Sequence, residues 1–524
     1  MSDTPNIDIR QDHWQIVRDI LRKHVPQYEV WAFGSRAKWL AKQYSDLDLA
    51  IITDQPLSLA ISAALADDFS ESDLPWKVDV VDWATTVESF RKIIERDKVV
   101  VKEGQKSLAM KDEIYYVPLR DLTTRITKGT TPSRGEGFVS VGINYIKSES
   151  ITSDGTIDTD KFAYIDKLTH DALARSQLCA GNVLFSMAGV YLGKTAIVRP
   201  EHVPANANQA VGIITPDQSK ADPRFIHYSI QSPACRSWIK NSAAQSAQPN
   251  FNLKEIGDLP IPSFSLEEQR RISNILGALD DKIELNRRSN QTLEAMARAL
   301  FKSWFVDFDG VSLDDMQESE LGLIPKGWRA ASLDSIAHYL NGLALQKFPP
   351  ESEAEFLPVI KIAQLRAGHA QDADKASTRL KSEYIVQDGD VLFSWSGTLE
   401  VDVWTGGRGA LNQHLFKVTS TEVPKWFYYF ATRQHLPDFR TIAAGKATTM
   451  GHIQRKHLAD AKVAVPPTDA MGEFDRTIAP LFEQIINNAL QSRTLAQQRD
   501  ILLPKLISGE FRVRDVKCFL EKAK

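Results

Sequence analysis

The chain has 524 residues, 43% of them hydrophobic and 25% charged, which is too many for one core and points to several domains of ordinary globular composition. Its 63 basic and 67 acidic residues leave a net charge of −4, which argues against coating nucleic acid by bulk charge but leaves local phosphate-binding patches open. The longest apolar runs, such as residues 59–66, are far too short to span a membrane, and MSDTPNIDIR lacks a signal-peptide core, so no membrane partner and a cytoplasmic location are expected.

The first hundred residues alternate helix and strand. Trp14, Val17, Ile20 and Leu21 sit at helical spacing within 9–25. A strand is expected over 29–33. It is broken at Gly34-Ser35 and followed by helix-prone residues 36–42. Further strands are expected at 45–52 and 77–82, with helices over 57–69 and 86–96. Asp46 and Asp48 are two apart on the expected strand, so both carboxylates face one side and can share a hard cation. Asp79 on a nearby strand supplies a third oxygen. Asp82, an odd number of residues further on, faces the other way. Gly34 permits a tight turn, and Ser35 with free backbone N–H groups suits a phosphate. Together these residues make a site for Mg²⁺ and a nucleoside triphosphate. Three scattered cysteines (Cys179, Cys235 and Cys518) with no CxxC spacing support neither a disulfide framework nor a zinc site.

The order GSRA, SDLDLAI, VDVVD resembles the minimal nucleotidyltransferases of the polymerase-β-like superfamily, over about residues 10–105. The resemblance implies that Asp46, Asp48 and Asp79 are metal ligands, catalytic if the domain is active. It implies that Gly34 and Ser35 grip a triphosphate while a hydroxyl attacks the α-phosphate, with Arg36 as an extra phosphate contact.

After a charged stretch, residues 99–111, the remainder reads as one unit used twice. Asn182-Val-Leu-Phe-Ser186 answers Asp390-Val-Leu-Phe-Ser394, Gly189 answers Gly397, and Asn208-Gln209 answers Asn412-Gln413. Each strand-rich region, 117–250 and 325–452, precedes a long helix. The first seam is Ile272, Ile275, Leu279, Ile283, Asn286, Asn290, Leu293, Ala297, Leu300 and Trp304. The second is Phe474, Ile478, Leu481, Ile485, Asn488, Ser492, Leu495, Arg499, Leu502 and Leu506. Steps of three and four make narrow stripes that pack on one another, and Asn286 and Asn488 at matching positions can fix the register. Forty residues of helix span about 60 Å, more than one turn of DNA.

KGTTPS, a strand ending in VLFS, then NQ, then NFNLKEIGDLPIPSFSLEEQRRI and a long helix, with the plan repeated and KLISGEF at the end, resembles the specificity subunit of type I restriction–modification systems, over about residues 110–515. The fold class implied is α/β multidomain. A nucleotidyltransferase-like domain (1–105) is followed by target-recognition domains (110–265 and 320–468) separated by two antiparallel coiled-coil spacer helices (266–308 and 470–515). The resemblance implies a non-catalytic subunit that reads a split double-stranded DNA site. Its helices set the gap and dock two methyltransferase subunits, which the restriction (motor) subunits join. At 469–474, DAMGEF replaces the family's Glu-Gln, which is expected to loosen that helix start. No cofactor is expected for this part, and its histidines show no metal-ligand pattern. Base edges and phosphates need polar loops, and the candidates are Lys128, Thr130, Thr131, Arg134, Gln245, Gln248, Asn250, Lys446, Thr448 and Thr449. The rival reading is a nucleotidyltransferase enzyme of toxin–antitoxin type that the long remainder merely positions on DNA or protein.

Overall fold

The computed structural model describes residues 4–26, 28–53, 56–57, 59–102, 115–133, 136–243, 250–445 and 451–513. The chain forms two compact units, Met1–Tyr115 and Tyr116–Lys524. Among the described residues no helix is long and apolar enough to cross a membrane.

The first unit is a mixed four-stranded sheet with helices on both faces. Its elements are α1 (Gln11–His24), β1 (Glu29–Phe33), α2 (Gly34–Ala37), β2 (Leu47–Ile52), α3 (Leu59–Ser70), β3 (Val78–Asp82), α4 (Glu88–Asp97) and β4 (Val99–Lys102). The strand order is β3-β2-β1-β4, with β2 and β3 parallel and the other pairs antiparallel. The period of two decides which face each side chain takes. Val30, Ala32, Leu47, Leu49 and Ile51 pack against Trp14, Val17 and Leu21 of α1 and Leu65 of α3. Trp31, Phe33 and Ala50 pack on the opposite face against Ile94 of α4. Asp12 opens α1 and Arg22, Lys23 and His24 close it, in keeping with the helix dipole.

Three expectations need correction here. The helix expected over 36–42 stops at Ala37, because Trp39 takes a left-handed backbone conformation (φ 56°). The strand expected from Ser45 begins at Leu47, so Asp46 lies just outside it. Part of the charged stretch after residue 99 is a strand, β4, whose Val101 is buried.

The second unit repeats its architecture down to the strand register. In its first half an antiparallel sheet runs Thr195–Ile197, Val183–Ser186, Val211–Pro216, Thr123–Lys128. In its second half the corresponding order is Val401–Val403, Val391–Ser394, Leu415–Thr419, His338–Asn341. Val183 lies opposite Ile197 and Ile214, and Val391 lies opposite Val403 and Val418. Each VLFS strand is buried at all four positions, which is why it reads as a continuous apolar run rather than an alternation. A second small sheet in each half contains a parallel pair, Ile143–Ile146 with Ala205–Ala207 and Leu357–Ile360 with Gly409–Leu411. Terminal strands close each half: Tyr116–Pro118 pairs with Pro260–Pro262, and Arg329–Ser332 with Lys462–Val465.

The first long helix (Leu266–Lys302) and the second (Thr468–Ile507) run antiparallel. Ile272 and Leu276 of the first join Leu502, Leu503 and Leu506 of the second in the core of the first half. Ala297 and Phe301 join Met471, Ile478 and Phe482 in the core of the second half. The α-helical part of the first spacer ends at Lys302. A π turn (Ser303–Asp307) then carries Phe305 into an aromatic cluster with Trp328, Trp426, Phe427 and Phe474. The second helix ends at Ile507, short of residue 515.

Midway along the pair the seam turns polar. Asn286 (2% exposed) donates from Nδ2 to Gln491 Oε1 (2.9 Å), Ser492 Oγ (3.2 Å) and the Asn488 carbonyl (3.3 Å). Asn488 Nδ2 donates to Asn290 Oδ1 (2.9 Å), and Asn290 Nδ2 to the Ile485 carbonyl (2.9 Å). Arg499, a charge at a seam position, is satisfied by Asp280 at 2.8 Å, and the Tyr228 hydroxyl donates to the same carboxylate (2.6 Å).

The DAMGEF departure does not loosen the second helix, which begins at Thr468. Gln269 of the first helix is buried and bridges Asp222 N, the Lys220 carbonyl and the Phe264 carbonyl. Two hundred and two residues on, the separation that also relates Asn286 to Asn488, stands buried Met471, an apolar plug in place of a hydrogen-bonded amide.

Loss of the buried amide at 488 leaves half-buried Asn290 Oδ1 without its donor and Gln484 Nε2 without its acceptor. Asn488→Ala is expected to lower the stability of the second unit by about 1–3 kcal/mol in chemical denaturation. An unchanged midpoint would show that the amides carry no stability.

Candidate nucleotide site and nucleic-acid interface

In the first unit the expected residues meet at one end of the sheet. Phe33, the last residue of β1, lies opposite Asp48, and Asp48 lies beside Asp79 across the parallel pair. Gly34 follows with φ +76°, and a Cβ there would lie 2.1 Å from Asp48 Oδ2. Only glycine allows the turn to approach this carboxylate. Half-burial, together with the charges of Asp79 and Asp46, raises the Asp48 pKa above the usual carboxylate range. Asp46 is exposed before the strand, and Asp79 is ion-paired with Lys77. Asp82 caps its own loop on the other face, accepting from Leu57 N (2.6 Å) and Ala84 N (3.0 Å).

The donor set is all oxygen and electrostatically crowded, which suits a hard dication. Its ligand geometry is not preassembled. Among the described residues no group of three or more His, Cys, Asp or Glu is arranged to hold a metal ion.

Arg36 departs from its expected role as a phosphate contact. It is 5% exposed, donates from Nε to the Ser45 carbonyl (2.9 Å) and from Nη1 to the Asp8 carbonyl (2.8 Å), and lies 4.2 Å over the Trp76 ring. Its guanidinium clamps the loop that precedes Asp46, so it supports the site from inside. Its position just after the Gly-Ser turn gave no hint of this, because Asp8 and Trp76 are distant in sequence.

Of the ten DNA candidates, Lys128, Thr130, Thr131 and Asn250 are described. Arg134, Gln245, Gln248, Lys446, Thr448 and Thr449 lie outside the described residues. Lys128 is exposed at a strand end. Thr130 Oγ1 accepts from Arg175 (3.0 Å), and the Tyr145 hydroxyl lies 3.0 Å from the Thr130 carbonyl and 3.3 Å from Thr131 Oγ1. Arg125 donates to the Arg175 carbonyl (3.2 Å). Arg125 and Arg175 therefore bring two exposed cations beside the Thr130 loop, suited to phosphate oxygens. The two arginines were missed because their neighbourhood forms only on folding.

Beside Lys128 two backbone segments cross. A Cβ on Gly129 would lie 2.1 Å from the Asn208 carbonyl oxygen, and one on Gly342 would lie 2.2 Å from that of Asn412. The asparagine of each Asn-Gln pair shapes the turn: Asn208 Oδ1 accepts from Ala210 N and Asn412 Oδ1 from His414 N, both at 3.2 Å. The equivalence of Gly129 and Gly342 escaped the sequence comparison, since KGTTPS and NGLALQ share only the glycine. Among the histidines, His227 is wholly buried beside Thr195 Oγ1 (2.9 Å), and burial pushes its pKa down to about 3, so it is a neutral core residue.

Comparison with known proteins agrees with this division. The family model described as type I restriction modification DNA specificity domain matches residues 112–295 and again 325–498, and a nucleotidyltransferase domain model matches 15–109. A probable protein adenylyltransferase, MntA, of Haemophilus influenzae is 52% identical over 108 residues, 21% of this chain and 95% of that protein. The type I restriction enzyme MjaIX specificity subunit of Methanocaldococcus jannaschii is 27% identical over 325 residues, 60% of this chain and 74% of that protein. A solved S subunit of a type I restriction-modification system from M. genitalium aligns over 76% of this chain and 97% of its own, with TM-score 0.47 and 15% identity. The chain belongs to the type I restriction modification DNA specificity family and carries a nucleotidyltransferase domain ahead of its duplicated unit.

Proposed function

We propose that this chain directs a type I restriction–modification assembly to a bipartite site on double-stranded DNA, acting in the cytoplasm. Each half of the second unit reads one half-site, and the helix pair sets the gap. Two methyltransferase subunits dock on the helices, and the restriction subunits join that complex. The observation that supports this best is the duplication itself. Two sheets of the same order and register stand at opposite ends of one antiparallel helix pair. Readers at 110–265 and 320–468, with spacers built on the helices Leu266–Lys302 and Thr468–Ile507, suit this division of labour. The Lys128, Thr130, Thr131 and Asn250 loops serve as DNA contacts of the first reader, with Arg134, Gln245 and Gln248 beside them in sequence. Lys446, Thr448 and Thr449 serve the second.

The N-terminal domain, residues 1–105, is read as a site for Mg²⁺ and a nucleoside triphosphate. Gly34 and Ser35 form the phosphate turn, and Asp46, Asp48 and Asp79 are the oxygen ligands. Bound Mg²⁺ would neutralise the triphosphate and relieve the repulsion around Asp48. The 52% identity to a probable protein adenylyltransferase favours nucleotidyl transfer to a protein acceptor. Residues 1–105 hold 18 acidic and 13 basic residues, a balance that disfavours a nucleic-acid acceptor.

Replacing residues 117–250 with the matching region of a related specificity subunit should change one half of the methylated sequence and leave the other half and the gap intact. Methylome sequencing reads this, and a change in both halves would contradict one reader per half. For the N-terminal site, a carboxylate whose folded pKa is raised costs stability once pH exceeds that pKa and costs none well below the unfolded value. Asp48→Asn should therefore raise the melting temperature of the first unit at pH 7 but not near pH 3. The same variant should lose Mg²⁺-dependent triphosphate binding in calorimetry while the complex continues to methylate DNA. A lower melting temperature at pH 7 would show that Asp48 is not electrostatically frustrated.

A further inference from the structure

The two halves share a frame, and what differs at that frame is confined to a few side chains. The shared parts are the glycine crossing (Gly129 and Gly342) and the asparagine turn (Asn208 and Asn412). The glycines after the VLFS strands are shared too, with φ +64° at Gly189 and +65° at Gly397. Isolated bridges also correspond, Ala188 with Asn250 and Ser396 with His452. These registers pair Lys128 with Asn341, Met187 with Trp395, Ala188 with Ser396, Gln209 with Gln413, Ala210 with His414, and Asn250 with His452. Only the glutamine is common to both sets.

In the second half these side chains form an ordered polar group at the surface. Trp395 Nε1 donates to Asn341 Oδ1 (3.0 Å) and to the Gln413 carbonyl (3.1 Å). Ser396 Oγ lies 2.9 Å from His414 Nδ1, and Gln413 Nε2 lies 3.4 Å from His414 Nε2. The Trp395 ring packs against both His414 (5.8 Å between centroids) and His452 (6.3 Å). Gln413 and His414 are both partly exposed, with their backbone held by the Asn412 turn. In the first half the same place holds exposed Gln209 and Lys128 beside Asn250, with Met187 and Ala210 where the second half has aromatic rings. A scaffold that must present two different half-sites to one fold needs this combination. The backbone is pinned where it is shared, and donors and acceptors vary where it is pinned.

We propose that the glycine–asparagine crossing is the base-reading centre of each half. In this reading Gln413 and His414, oriented by Trp395 and Ser396, specify bases of one half-site, and Gln209 with Lys128 specifies bases of the other. This rests on the bipartite DNA reading above. Glutamine offers a donor and an acceptor side by side, the pattern that matches adenine in the major groove, and a lysine ammonium matches guanine acceptors. Trp395 and Ser396 are positioning residues. They hold the imidazole and the glutamine backbone and need not touch DNA.

The test is methylome sequencing of cells carrying the full assembly. Wild type must first methylate a bipartite sequence. If it does not, the DNA reading fails and this inference with it. Given that it does, Gln413→Ala should relax or change at least one base of a single half-site, with discrimination falling about tenfold or more, while the other half and the gap stay as they were. Gln209→Ala should do the same to the opposite half-site. The combined variant Trp395→Met, His414→Ala, His452→Asn, which gives the second half three of the five differing side chains of the first, should alter the half-site affected by Gln413→Ala. Methylated sequences identical to wild type in both glutamine variants would overturn the proposal, whatever the combined variant does. So would an effect of both glutamines on the same half-site.

Discussion

The amide ladder of buried Asn286 and Asn488 with half-buried Asn290 is the constraint on which the second unit depends. An apolar seam of Ile and Leu would pack acceptably in more than one register, since sliding by a heptad restores a like stripe. The amides remove that freedom, because any slip breaks these hydrogen bonds and strands the buried amides of Asn286 and Asn488. The Arg499–Asp280 pair, reached by the Tyr228 hydroxyl, ties the same register to the first half. The aromatic cluster around Phe305 and Phe474 ties it to the second. The separation of the two halves is thereby set by side-chain chemistry as well as by helix length.

Polar atoms do similar positional work at both candidate sites. Arg36 is spent on the Ser45 and Asp8 carbonyls, which fixes the loop carrying Asp46. Asn208 and Asn412 are spent on their own turns, which leaves the neighbouring glutamine to face outward chemistry. Asp48 sits under opposite conditions, half-buried among like charges. Under the Mg²⁺ reading proposed above, such a site trades stability for affinity toward the dication, as functional sites commonly do.

Much of this architecture was legible in the residues. Paired VLFS strands, the Asn-Gln landmarks and the heptad seams announced the duplication, and the structure carries it to the level of strand register. The period of two in a strand set Asp79 and Asp82 on opposite faces, while the neighbour it gave Asp48 on its own strand, Asp46, falls just before that strand begins. What was not legible depended on partners far away in the chain. Arg36 turns inward because of Asp8 and Trp76, and Arg175 reaches Thr130, with Arg125 on its carbonyl, only once the sheet has formed. Trp39 ended a helix that its neighbours' propensities favoured. At Met471 a different solution replaced an amide, and a local comparison mistook that for weakness.

The central claim is that the helix pair measures the distance between two independent readers. Inserting seven residues into each helix, between Asn290 and Ala297 in one and between Ile478 and Ile485 in the other, preserves the heptad phase and the amide ladder. At about 1.5 Å per residue the halves should separate by about 10 Å, or about three base-pair steps of DNA. Methylome sequencing of that variant should return both half-sequences unchanged with the gap lengthened by about three base pairs. An unchanged gap, or altered half-sequences, would contradict the account.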